Sequence, residues 1–146
     1  MTYDPGGADP FSGPLLEPRE VMTSVDFDGR NMSDVRAKAT MIGRSFGLPA
    51  ERLEDLSLAV GELVGNSVRH GGGTGRLRAW EEAGVVVIEV SDAGRIDSLM
   101  AGRVRPAPDR ERGIGLWLVH QLSDLVQVRS GSDGTTVRAH FRSAAR

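Results

Sequence analysis

The sequence predicts an α/β protein, a two-layer sandwich in which helices cover one face of a mixed β-sheet. Three observations lead there. Two stretches repeat apolar residues at helical spacing, Val35, Ala39, Ile42, Phe46 and then Leu56, Val60, Leu63, Val64. The run V-V-V-I-E-V over residues 85–90 is nearly continuous apolar, as a central strand would be. The elements fall in the order β, α, α, ββ, loop, α, ββ, and long helices among strand pairs need one sheet face to bury against.

The elements are justified in chain order. Residues 1–20 hold Pro5, Pro10, Pro14 and Pro18 with Gly6, Gly7 and Gly13 and keep no period, which predicts a flexible arm ahead of a domain spanning residues 21–142. Val21 to Phe27 alternates loosely as a first strand. Asn31 or Ser33 is placed to cap a helix running to about Phe46, which Gly47-Leu48-Pro49 ends. A second helix starts near Ala50 and stops at Gly71-Gly72-Gly73. Strands Arg76 to Glu81 and Val85 to Ser91 form a hairpin across Ala83-Gly84. Residues 95–112 carry two prolines and many charges without any period, a loop of a length that is usually functional. Gly113-Ile114-Gly115 then opens an apolar helix, Leu116 to Leu122, and strands Asp124 to Ser130 and Thr135 to Phe141 close the chain around Ser132-Asp133-Gly134.

Composition removes several functions. The chain has 146 residues, one domain's length and enough for a real core. A net charge of -2 with mixed signs leaves no basic footprint for nucleic acid. Zero cysteines exclude disulfides, thiolate catalysis and Cys-based zinc sites, and His70, His120 and His140 are not spaced as a zinc pair. No apolar run approaches the ~20 residues of a membrane span and no charged-then-apolar signal opens the chain, so a cytoplasmic protein is expected. Lys38 is the sole lysine, so phosphate contacts elsewhere fall to arginine or backbone N–H groups.

The second helix carries the most informative stretch, Leu56 to His70. Leu56, Val60, Leu63 and Val64 gather on one side, while Glu62, Asn66 and Arg69 line up nearly opposite, with His70 at the edge. Glu62 and Asn66 are one turn apart and can address one ligand. Gly61, Gly65, Asn66 and Ser67 are poor helix-interior residues, each Gly costing about 1 kcal/mol against Ala. The plain alternative is a solvated polar face beside a close helix–sheet contact at the glycines. Two weaker signals accompany the stretch: Asp92-x-Gly94 at a strand end, and Gly113-x-Gly115 at a helix start, whose free N–H groups and dipole suit phosphate. Gly113-x-Gly115 is not a dinucleotide fingerprint, because no third Gly sits at 118, and Gly71-Gly72-Gly73-Thr74 lacks the lysine of a P-loop.

In this order the signals resemble the ATP-binding domain shared by gyrase, histidine kinases, the mismatch-repair protein MutL and the anti-sigma-factor serine kinases, the GHKL or Bergerat fold. The resemblance covers about residues 21–142. The family's E-x-x-x-N box is met by Glu62-Leu63-Val64-Gly65-Asn66, its D-x-G-x-G box by Asp92 and Gly94, and its G-x-G-L box by Gly113-Ile114-Gly115-Leu116. Ser67-Val68-Arg69-His70 is similar to the serine-kinase branch, and Gly134-Thr135-Thr136-Val137 to the family's last strand. The second box lacks its final glycine, since Gly94-Arg95-Ile96 stands there.

The resemblance implies ATP and Mg²⁺ as cofactors. By it, Asn66 would hold Mg²⁺ through its amide oxygen, and Asp92 would accept a hydrogen bond from the adenine amino group. Gly94 would let the backbone approach the base, and Thr136 would add a contact near Asp92. Gly113, Ile114, Gly115 and Leu116 would offer backbone N–H groups to phosphate, with Arg69 and His70 beside the nucleotide. Glu62 would be the general base. Loop 95–112, with five arginines against three acids, would be the lid, and Arg112 would lie nearest the γ-phosphate.

The implied function is an anti-sigma regulatory factor with serine/threonine protein kinase activity, acting on transcription in a stress response. Its partners would be a sigma factor and an antagonist (anti-anti-sigma) protein that it phosphorylates, and it would be a homodimer. The bare domain length suits this branch better than gyrase or MutL, which need a transducer domain, or a histidine kinase, which needs a preceding helical hairpin. Two alternatives stay open: an interaction module that transfers no phosphate, to which the missing glycine points, and an ATPase without a protein acceptor.

Overall fold

The computed structural model describes residues 13–94 and 111–143, with side chains in the last helix from Gly115 onward. Among these residues eight elements succeed one another: β1 (Thr23–Asp28), α1 (Met32–Ser45), α2 (Ala50–His70), β2 (Thr74–Glu82), β3 (Val85–Asp92), α3 (Glu111–Leu122), β4 (Leu125–Gly131) and β5 (Gly134–Arg142). The sheet order is β1-β2-β3-β5-β4, and three helices lie on one face, so the two-layer sandwich stands.

The sheet is not mixed. Every pairing is antiparallel, with Val25 opposite Leu77, Leu77 opposite Val90, Val90 opposite Val137 and Val137 opposite Val128. A helix joining two neighbouring strands would make them parallel. Here α1 and α2 form a helical hairpin that returns the chain antiparallel to β1, and the strand that α3 leads to, β4, is separated from β3 by β5.

Local chemistry explains the boundaries. Gly47, at φ +84°, ends α1 in a Schellman turn, its N–H donating to Arg44 O while Leu48 N–H reaches Gly43 O. Ala83 (φ 53°) and Gly84 (φ 79°) take the left-handed conformations of a two-residue hairpin turn. Asn31 precedes α1, but its side chain does not cap the helix. It turns back to β1, accepting from Asp28 N–H (2.9 Å) and donating to Asp26 O (3.1 Å).

Alternation divides the sheet. Leu77, Ala79, Ile88, Val90, Val128, Val137 and Ala139 face the helices and meet Val35, Ala39, Leu56, Val60, Leu63, Leu116 and Val119. The outer face carries the row Arg78, Glu89, Arg138, Gln127. Glu89 accepts from Arg78 (2.7 and 3.1 Å) and Arg138 (2.8 Å). Burial works against its charge, but these hydrogen bonds hold its carboxyl below the usual range. Residues 13–20, predicted as part of an arm, lie on this face: Arg129 donates to Gly13 O, Arg138 to Leu16 O (2.6 Å each), and Arg78 reaches Glu17 at 3.4 Å.

Candidate functional site

The apolar side of α2 is buried as its spacing predicts, Leu56, Val60, Leu63 and Val64 all joining the core. Glu62 and Asn66 do not form a solvated face. Glu62 is half-buried, and Asn66 is only 3% exposed. Neither Oδ1 nor Nδ2 of Asn66 has a hydrogen-bond partner among the described residues. An unpaired buried amide of this kind points to a ligand, ion or water that satisfies it. Nor do the glycines of α2 mark a helix–sheet contact. A Cβ on Gly61 would meet Arg36 of α1, and one on Gly65 would meet the guanidinium of Arg69, folded back along its own helix.

Opposite the pair stands α3. A Cβ on Gly115 would lie 2.9 Å from Asn66 Nδ2, 3.0 Å from Glu62 Oε2 and 3.2 Å from Asn66 Oδ1. Glycine is therefore what lets α3 come up against both side chains. The helix begins at Glu111, earlier than expected, so Gly113 and Ile114 belong to its first turn rather than preceding it. Gly113 N–H thus remains among the first four N–H groups, which have no intrahelical acceptor. The Arg112 side chain and the loop assigned as a lid lie outside the described residues.

The third component is the end of β3. Asp92 Oδ2 accepts from the Ser67 hydroxyl at 2.7 Å, and Oδ1 from Gly94 N–H at 2.8 Å. A Cβ on Gly71 would lie 2.3 to 2.7 Å from this carboxylate, and one on Gly94 would lie 2.7 Å from Gly71 Cα and 2.8 Å from His70 O. The two glycines let the Asp92 turn seat directly on the C-terminus of α2. Ser67 and Gly71, to which spacing along the chain gives no role here, thus support Asp92.

One expected contact moves by a residue. Asp92 pairs in register with Thr135, and Thr136 pairs with Ser91, on the other face of the sheet. The Thr135 hydroxyl donates to Gly94 O (2.8 Å) and shares a 2.7 Å hydrogen bond with Ser130. Thr136 instead borders the outer face with Arg129. Arg69 and His70 are exposed at the end of α2, outside the crevice.

These pieces enclose a crevice lined by Leu63, Val90, Leu116 and Val137 and by the polar Asn66, Ser67, Asp92 and Thr135. Its free volume is about 10 Å³, room for no more than about one water molecule. A larger open hollow of about 650 Å³ lies over the ends of β1 to β3. There Asp26 pairs with Arg76 (2.8 Å) and Asp28 with Arg30 (3.1 Å), and although Asp92 borders this hollow too, the unpaired Asn66 meets Asp92 only in the crevice. No group of three His, Cys, Asp or Glu able to hold a metal occurs among the described residues. A hard cation such as Mg²⁺ needs no such cage, because it keeps water and phosphate oxygens and takes one or two protein oxygens. The unpaired Asn66 amide beside Glu62 fits that use.

Comparison with known proteins agrees with this arrangement. The family described as histidine kinase-like ATPase domain matches residues 25–141. No curated protein is matched by the sequence. Among solved structures, the RsbU and RsbW domains of Rv1364c from Mycobacterium tuberculosis superpose with a TM-score of 0.61 at 22% identity, over 83% of this chain and 32% of that one. The chain thus spans about a third of that protein's length. The SiaB–SiaC complex from Pseudomonas aeruginosa gives 0.64 at 10% identity, over 83% and 89% of the two chains. A histidine kinase domain from Erythrobacter litoralis gives 0.53 at 19%, over 76% and 60%. At these identities the likeness is one of fold.

Proposed function

The chain belongs to the histidine kinase-like ATPase domain family, and from that premise we propose that it binds Mg-ATP in the crevice between α2, α3 and the sheet and phosphorylates a serine or threonine of an antagonist protein in a partner-switching system. One observation carries this reading: the buried, unpaired Asn66 amide lines the same crevice as Asp92, and Gly115 lets α3 come up against Asn66 and Glu62 together. The SiaB–SiaC and RsbU–RsbW likenesses support a protein partner. The sigma factor as a second partner, the homodimer and the cytoplasmic location belong to the same proposal. No described helix is long and apolar enough to cross a membrane.

In this reading Asp92 accepts from the base's amino group at the apolar end of the crevice, with Leu63, Val90, Leu116 and Val137 against the ring. Asn66 offers Oδ1 to Mg²⁺, whose charge would neutralise the phosphates during transfer. The first turn of α3, Glu111 to Ile114, presents its free N–H groups, Gly113 and Ile114 among them, and its dipole to phosphate, whereas the N–H groups of Gly115 and Leu116 lie past that turn. Glu62 takes the proton of the acceptor hydroxyl as that oxygen bonds to the γ-phosphorus and the bond from phosphorus to the β-phosphate oxygen breaks. General-base assistance of this kind is worth about 10²–10⁴-fold. A base enters only if the crevice widens, since its free volume as it stands is about 10 Å³.

Titration calorimetry with Mg-ATP tests occupancy, and transfer of labelled phosphate to a candidate antagonist tests chemistry. Glu62→Gln should bind ATP as the parent does and lose transfer by at least 100-fold. Undiminished transfer would remove Glu62 as the base. The closed crevice favours a second reading, an interaction module that transfers no phosphate, and tight partner binding without label or nucleotide heat would establish it.

A further inference from the structure

Ser67 supports Asp92, and its geometry gives it a larger role, one that rests on the nucleotide reading of the crevice. It is 1% exposed, comes directly after Asn66 on α2 and lines the crevice. Its hydroxyl spans from α2 to the end of β3 to donate to Asp92 Oδ2 at 2.7 Å, the short distance of a charge-assisted bond. Gly94 N–H holds Oδ1 from within the same turn, and Gly71 Cα closes the side where the carboxylate would otherwise swing. Thr135, directly across, has its hydroxyl engaged with Gly94 O and Ser130. Of the side chains lining the crevice, Ser67 is therefore the one that ties Asp92 to the helix carrying Glu62 and Asn66.

An oriented carboxylate reads the edge of a purine by sign. A 6-amino group donates to it, whereas a 6-oxo group sets acceptor against acceptor. We propose that Ser67 is the positioning residue for base specificity: it pins Asp92 as a fixed acceptor on the crevice wall, so that a 6-amino purine nucleotide is taken and its 6-oxo counterpart refused. Without the hydroxyl, Asp92 loses its tie to α2 and turns more readily from an incoming oxo group. Sites built to hydrogen-bond one substrate group reject an analogue lacking it far better than sites of matching shape alone.

The test is competition of unlabelled ATP and GTP, with Mg²⁺, against a fluorescent ATP analogue on the full chain. The parent should prefer ATP by at least about 100-fold, a strong discrimination of the kind a hydrogen-bonding site provides. In Ser67→Ala the preference should fall at least tenfold, or about 1.4 kcal/mol, and Ser67→Thr should restore it. Ser67→Cys, close in size but a weak donor, should behave as Ser67→Ala does if the alanine variant folds poorly. A purely structural serine would weaken both nucleotides equally, so an unchanged ratio in Ser67→Ala and Ser67→Cys overturns this inference and leaves the nucleotide reading intact. A parent that binds neither nucleotide overturns the nucleotide reading, and the role of Ser67 with it.

Discussion

Replacing Asn66 by leucine should make the free protein more stable and blind to nucleotide. The amide is buried, both of its polar atoms are unpaired among the described residues, and the adjoining crevice holds about 10 Å³. An unsatisfied buried polar group costs about 1–3 kcal/mol. Leucine sets two methyl groups where Oδ1 and Nδ2 stand, with nearly the same shape, and is the better helix former. Asn66→Leu should therefore gain about 1–3 kcal/mol, which for a chain of this length raises the melting temperature by about 3–10 °C. The same change deletes the oxygen offered to Mg²⁺. Mg-ATP at 100 times its dissociation constant adds about 2.7 kcal/mol to the parent and should add nothing to the variant. Circular-dichroism melts of both proteins, with and without Mg-ATP, decide the matter. A variant that melts below the parent would mean that the amide is already satisfied in the free protein. An equal nucleotide shift in both would take Asn66 out of the site.

Two other contacts give expected outcomes of their own. Gly71→Ala places a methyl 2.3 to 2.7 Å from the Asp92 carboxylate, so that carboxylate must leave its position. The fold should survive, because Gly71 lies at the end of α2, while ATP affinity by calorimetry falls at least about tenfold, or 1.4 kcal/mol. Unchanged affinity would show that Asp92 does not read the base. Burial, helped by the nearby Arg138 charge, pushes His140 down to about 4 from 6.5, while it shares a 2.8 Å hydrogen bond with Gln127. The unfolded chain therefore takes up this proton first as pH falls. Stability should be full above pH 6.5 and decline toward pH 4 by as much as about 3 kcal/mol. Denaturant titrations across that window should show a flatter profile for His140→Gln, and an identical slope would refute the assignment.

Much of the site was legible because its signals are local. Glu62 and Asn66 sit one helical turn apart whatever surrounds them, and the apolar stripe of Leu56, Val60, Leu63 and Val64 states which side is buried. The strand V-V-V-I-E-V announced a central position, and β3 has one between β2 and β5. Less legible was anything that depends on register or on a meeting of distant segments. The contact expected of Thr136 falls to Thr135 because a shift of one residue changes the face. Ser67 looked like a poor helix residue because its partner, Asp92, is 25 positions away. Gly71 looked like a helix stop, although its missing side chain is also what makes room for that carboxylate. The proline- and glycine-rich start predicted an arm, and nothing in its composition foretold that Arg78, Arg129 and Arg138 would hold residues 13–17 on the sheet.

The amino-acid sequence alone determined which elements form, in what order, and which helix face carries the carboxylate and the amide, because periodicity and turn chemistry act over a few residues. Tertiary structure decided that all strands run antiparallel, that Gly115 closes on Glu62 and Asn66, and that Ser67 and Gly71 hold Asp92. Those outcomes depend on which strands become neighbours and how closely two backbones approach, and such distances exist only once the helices have packed on the sheet.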